Sequence, residues 1–258
     1  MKRLPNIEGN LPSLIFLLFS IILWEAMARV MAIPEYILPL PTSIGKAFAS
    51  NYPLLLIHSK ASLFAAVTGL FLAIIVALIL GLLMHKLRVI KTILYPLLVV
   101  SQTIPIIALA PVIMIWFGLG LLPKVLIVAL VCFFPLVINI TDGLVNVDED
   151  LTELMQVMGA GSWDTFKNIQ LPSILPYFFS GLKISATYSV TGAVIGEWLG
   201  GNNGLGVYMV RTMHTFSTSN LFAAILVVII LSFGLFKLVE LMEKFFMPWK
   251  HVNINEME

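Results

Sequence analysis

Charge is what this sequence has least of. Asp, Glu, Lys and Arg make up 11% of its 258 residues, against about 25% in ordinary soluble domains. So few charges cannot coat a water-facing surface, which excludes a soluble globular protein. The formal net charge of +1 gives no electrostatic footprint for nucleic acid. Cysteine is nearly absent. Cys132 stands alone in an apolar run beside Phe133, so no intrachain disulfide can form and the thiol reads as a small packing group. No P-loop is present, because Gly45-Lys46 lacks both the earlier glycine and the following hydroxyl residue. H-E-x-x-H and G-x-S-x-G are missing too, and His58, His85, His214 and His251 are too dispersed to ligate a metal. The chain is therefore expected to hold no cofactor of its own and to catalyse no reaction.

What is present is apolar. Hydrophobic residues form 59% of the chain. A helix needs roughly 20 apolar residues to cross ~30 Å of hydrocarbon, and six segments qualify: 12–33, 62–84, 93–117, 123–144, 174–199 and 220–246. The fold class predicted is all-α integral membrane. Lys2 and Arg3 ahead of an apolar stretch, with Ala26-Met27-Ala28 after it, resemble a secretory signal. Five further apolar segments make a first transmembrane helix the better reading.

Basic residues set the orientation. With the N-terminus inside, the inner segments hold Lys2, Arg3, Lys86, Arg88, Lys91, Lys167, Lys244 and Lys250, and the outer ones Lys46, Lys60, Lys124 and Arg211. Both termini (1–11 and 247–258) are thus expected in the cytoplasm, with 34–61 outside and 145–173 inside. Charges within the spans sit toward their ends. Glu25 and Arg29 are spaced to pair, Lys183 and Lys237 can snorkel, and Glu197 and Asp142 lie near outer and inner ends. No charge falls at mid-depth, where ion-coupled carriers keep one. An ion-coupled secondary transporter or channel is therefore the weaker alternative.

Two spans carry small-residue stripes for close helix packing: Ala65, Gly69, Ala73, Ala77 and Gly81 in the second, and Gly181, Ser185, Ser189 and Ala193 in the fifth. Polar side chains at mid-span mark a candidate substrate path: Gln102 and Thr103 beside a helix-kinking Pro105, Asn139, and Ser185, Thr187, Tyr188, Ser189 and Thr191. Hydroxyls can equally bond their own helix.

The inner loop is the most informative stretch. Asp148-Glu149-Asp150 suits a helix start, and Leu151, Leu154, Met155 and Met158 recur at i, i+3, i+4 and i+7, so the loop is predicted to hold a short helix with one apolar face. Gly159-Ala160-Gly161 can end it. Ser162 is the expected N-cap of a second short helix with Asp164 in its first turn, and Pro172 closes the loop. Its acidic polar face argues against lying on a membrane, which leaves packing on its own protein or docking into a groove on another.

Glu153, Gly159, Ile169, Leu171 and Pro172 match the spacing E-A-A-x3-G-x9-I-x-L-P, with Leu154 and Met155 replacing the two alanines. The chain thereby resembles permease subunits of binding-protein-dependent ABC importers. Pro39-Leu40-Pro41-Thr42-Ser43, Gln102-Thr103-Ile104-Pro105 through Ala110-Pro111, Trp116-Phe117-Gly118, Glu197-Trp198-Leu199-Gly200, Asn203-Gly204-Leu205-Gly206 and Met247-Pro248-Trp249 resemble the nitrate/sulfonate/taurine group, nearest to permeases for thiamine-precursor pyrimidines. The resemblance implies a type I importer architecture with one permease domain over 12–246 in the cell membrane. A second permease copy, separate ABC ATPase subunits that consume ATP and Mg, and an extracytoplasmic substrate-binding protein are its implied partners. It makes 145–173 the coupling loop, with Glu153, Leu154, Met155, Met158, Gly159 and Ala160 at the ATPase contact. Glu153 is expected as a polar contact on the docking surface.

Overall fold

Runs of apolar helix formers broken by proline, glycine and asparagine give an all-helical chain. The computed structural model describes residues 7–251. In order these are α1 (Ile7–Val30), α2 (Pro41–Ser50), α3 (Tyr52–Lys86), α4 (Arg88–Ser101), α5 (Ile106–Phe117), α6 (Leu121–Val145), α7 (Glu149–Val157), α8 (Ser162–Thr165) with a π turn (Phe166–Gln170), α9 (Leu171–Trp198), α10 (Leu205–His214), α11 (Thr218–Phe246) and a 3₁₀ turn (Pro248–His251).

Among the described residues, four helices are long and apolar enough to cross a membrane: Leu11–Val30, Tyr52–Lys86, Leu121–Val145 and Thr218–Phe246. The pair α4–α5 makes a fifth if taken as one span, but it is bent by 104° at the break. The sequence suggests one continuous span over 93–117; Pro105 divides it. Proline has no N–H to give the helix and disfavours helical geometry in the residue before it. Ile104 N accordingly donates to the Ser101 carbonyl at 3.2 Å in a three-residue turn, and Pro105 enters α5 with an extended ψ of 121°. The segment 174–199 forms most of α9. It is long enough to cross, yet its hydroxyl residues make it less apolar than the other four. It tolerates them by lying inside, packed on α6, α11, α3 and α10.

The 34–61 connection is more ordered than a loop. It contains α2, and α3 begins ten residues before the expected boundary. At ~1.5 Å per residue its 35 residues exceed the hydrocarbon thickness. The extra turns are held by Leu55, which is buried with Val194, Leu205, Tyr208, Ala223, Ala224 and Val227 in a second, smaller core.

The main core lies where α6 is sandwiched between α3 and α9. Ala65, Ala73 and Ala77 of the first small stripe are at most 1% exposed. A Cβ on Gly69 would come within 2.5 Å of Val128 Cγ1, and one on Gly181 within 2.9 Å of both Asn139 Cβ and the Pro135 carbonyl oxygen. Contact at this range is how helices associate where lipid removes the hydrophobic drive between them. Ser185 Oγ donates to the Cys132 carbonyl at 2.8 Å and Cys132 Sγ donates back to the Ser185 carbonyl at 3.2 Å, pinning α9 to α6.

α1 stands apart. Leu11–Phe19 expose most of their large side chains, as a lipid-facing helix does. It is fastened near its C-terminal end, where Glu25 pairs with Arg29 as its spacing predicts. Glu25 also accepts from Thr42 N at 3.1 Å and Thr42 Oγ1 at 2.9 Å.

Candidate functional site

The 145–173 loop is built by local capping. Asp148 is the N-cap of α7, its carboxylate accepting from Asp150 N at 2.9 Å and Leu151 N at 3.3 Å. The helix stops in a Schellman motif: Ala160 N donates to the Met155 carbonyl at 3.0 Å and Gly159 N to the Gln156 carbonyl at 2.9 Å. That ending requires a left-handed residue, and Gly159 supplies it at φ 80° with open space around it. The second short helix begins one residue earlier than expected. Gly161, extended at ψ 163°, is the N-cap, and Ser162 is the first helical residue. Pro172 stands in the first turn of α9, directly after the π turn.

α7 is amphipathic the wrong way round for a helix folded onto its own protein. Its apolar residues face outward: Leu154 is 55% exposed, Met158 73% and Val157 86%, with Leu151 exposed and Met155 half-buried beside them. Trp163 of α8 is exposed as well. Its polar residues Glu149, Thr152, Glu153 and Gln156 line a cleft of about 580 Å³ whose far wall includes His85, Lys91 and Gln170. Glu153 therefore stands on the cleft wall and not among the outward apolar side chains.

The mid-depth residues divide. Gln102 and Tyr188 come together in one cleft of about 360 Å³, which also takes in Pro105, Phe134 and Pro135. Thr103 is exposed in the break, its hydroxyl donating to the Val100 carbonyl at 2.7 Å. Asn139 donates to the Pro135 carbonyl at 2.7 Å, against Gly181. Ser185 and Ser189 are fully buried and bonded to backbone, Ser189 to the Ala186 carbonyl at 2.8 Å.

The far end holds a polar knot. Glu197 is 2% exposed. It accepts from Ser62 Oγ at 2.9 Å to each carboxylate oxygen and from Gly206 N, in the first turn of α10, at 2.8 Å. Ser62 Oγ accepts from Leu205 N at 2.8 Å, and His58 Nδ1 from Gly204 N at 3.0 Å. Gly204 has φ 136°, and a Cβ there would fall on the Glu197 carboxyl. Lys124 Nζ completes the knot by donating to the Asn203 carbonyl at 3.2 Å. The helix-capping role of Glu197 has no sequence signal, because its partners lie on two other helices. Lys183 likewise pairs across to Glu243 on α11 at 2.6 Å rather than reaching for the interface alone.

Residues 69–251 match the family described as binding-protein-dependent transport system inner membrane component. The chain belongs to this family. As an inner membrane component with several apolar helices, it is a multi-pass membrane protein. Its relatives among such permeases include the formylaminopyrimidine transport permease protein ThiX of Halalkalibacterium halodurans, 38% identical over 97% of this chain and 99% of that one. The riboflavin transport system permease protein RibX of Chloroflexus aurantiacus is 35% identical over 91% and 88%. A putative aliphatic sulfonates transport permease protein, SsuC of Bacillus subtilis, is 28% identical over 90% and 84%. An inward-facing MetNI methionine ABC transporter chain superposes with a TM-score of 0.64, covering 74% of this chain and 95% of that one at 17% identity, which shows a shared permease fold.

Proposed function

We propose that this permease is the membrane-spanning subunit of an ATP-driven importer working by alternating access. In this reading six crossings are made, by α1, α3, the broken α4–α5 pair, α6, α9 and α11, with both termini and α7 in the cytoplasm. ATP is hydrolysed in a separate ATPase subunit, an extracytoplasmic binding protein delivers the solute, and a second permease copy completes the path. One relative named for its solute is a formylaminopyrimidine transport permease protein, matched over 97% of this chain. A thiamine-precursor pyrimidine is the solute class best supported, ahead of sulfonates or taurine.

The observation that carries this reading is the inverted amphipathicity of α7. An exposed apolar helix face fits an apolar groove on another protein, and Leu151, Leu154 and Met158 offer one away from the bundle. The Schellman turn at Gly159 gives the helix a firm end, so a push on α7 is passed through α8 and the π turn to α9. α9 in turn is locked to α6 by Ser185, Cys132 and Gly181. The test is ATP hydrolysis by the reconstituted complex in proteoliposomes, with and without loaded binding protein. Loaded binding protein should stimulate hydrolysis, and Leu154→Asp should abolish both stimulation and co-purification of the ATPase. Retained stimulation in that variant would refute the docking face.

A further inference from the structure

The 360 Å³ cleft at the helix break has a chemistry narrow enough to name what it holds. Phe134 and Pro135 lie at the middle of α6 and Tyr188 near the middle of α9, so the cleft sits at mid-depth. Transporters commonly place solute sites there, beside discontinuous helices, and the break between α4 and α5 opens on this cleft through Gln102, Pro105 and Ile106. Its volume is at the small end of the ~300–1,000 Å³ usual for ligand pockets.

The lining carries no charged side chain. A quaternary ammonium would find no counter-charge, and burying one unpaired is costly; a sulfonate would meet only the partial charge at the α5 N-terminus, with no cationic side chain beside it. Ser101 spends its hydroxyl on the Leu98 carbonyl at 2.8 Å. Gln102 and Tyr188 remain, and among the described residues neither side chain makes a hydrogen bond. A glutamine amide presents a donor and an acceptor side by side. That pair is complementary to an exocyclic amino group next to a ring nitrogen, the same match by which glutamine reads adenine. Phe134 and Tyr188 supply aromatic faces for a flat ring.

We propose that this cleft is where the solute touches the permease, and that it takes a small, uncharged, flat heteroaromatic ring of the aminopyrimidine kind. The ring packs against Phe134 and Tyr188, and its amino and ring-nitrogen edge is read by Gln102. Phe134 becomes a specificity residue that the sequence alone did not single out. The assignment rests on the importer reading and deepens it.

The test is saturation-transfer NMR on the permease in nanodiscs, with 4-aminopyrimidine as probe and taurine as the charged comparator. Aminopyrimidine should receive saturation and taurine should not. Gln102→Leu should weaken the apparent affinity at least about fivefold and Tyr188→Leu about two- to tenfold. Tyr188→Phe, which keeps the ring, should stay within about twofold. These side chains are exposed, so the variants should melt with the wild type. Equal saturation of taurine, or aminopyrimidine affinity indifferent to Gln102→Leu and Tyr188→Leu, would overturn the assignment. A parallel measurement of binding-protein-stimulated ATP hydrolysis keeps the two readings apart. No stimulation in the wild-type complex sinks the importer reading, whereas normal stimulation with indifferent variants sinks the cleft alone.

Discussion

Replacing Glu197 by alanine should loosen α10 while leaving the end of the permease that carries α7 untouched. The carboxylate is buried and accepts from Ser62 Oγ and from Gly206 N in the first turn of α10. Removing it strands one buried O–H and one buried N–H, each worth about 1–3 kcal/mol when left unmade, or about 2–6 kcal/mol in total. Ser62 also accepts from Leu205 N, so its rotation would carry a third bond with it. At ~1.36 kcal/mol per decade, the lower bound gives about 30-fold faster opening of the α10 N-terminus. Hydrogen exchange of the Leu205 and Gly206 amides in micelles reads this directly, with the α7 amides as an internal reference. Glu197→Gln keeps one acceptor oxygen and should show a smaller acceleration. Unchanged protection of Leu205 and Gly206 in Glu197→Ala would refute the capping argument, and acceleration spread equally over α7 would refute its locality.

Gly69→Leu should destabilise the α3–α6 contact by about 1–3 kcal/mol through overpacking, since Val128 already fills the space. Gly234→Ala, with nothing within 4 Å, should be neutral or slightly stabilising; thermal unfolding in detergent compares the two. Gly159→Leu meets no neighbour but must adopt φ 80°, a cost of about 1–2 kcal/mol. The permease should therefore fold while ATP hydrolysis loses its response to loaded binding protein. Lys183→Met should cost less than the ~3–5 kcal/mol of a fully buried broken pair, because Lys183 is 24% exposed. Combining it with Glu243→Leu should recover part of the loss in the same melting assay.

Features that depend on neighbours along the chain were legible in the sequence. The small stripes read as packing surfaces because helical period alone puts Ala65, Gly69, Ala73, Ala77 and Gly81 on one face, and that face does meet α6. The N-terminal acids and the glycine stop of α7 were legible for the same reason. Features that depend on partners far away in sequence were not. Nothing local marks Glu197 as the cap of a helix eight residues on, or Lys183 as the partner of Glu243. Pro105 announced a kink, but nothing local gave the 104° bend between α4 and α5. Hydroxyls in α9 were the ambiguous case. Ser185 and Ser189 spend theirs on backbone within the core, while Tyr188, one position before Ser189 and on the other face, opens on a cleft.

The outward apolar ridge of α7 also bears on how such a subunit survives before assembly. On the reading proposed above, a copy lacking its ATPase leaves Leu151, Leu154, Val157, Met158 and Trp163 uncovered, the kind of oily patch that invites aggregation. Quality-control chaperones and proteases read such patches, so an orphan permease carries its own mark for removal. If α7 docks as proposed, balanced production of permease and ATPase follows from the surface itself.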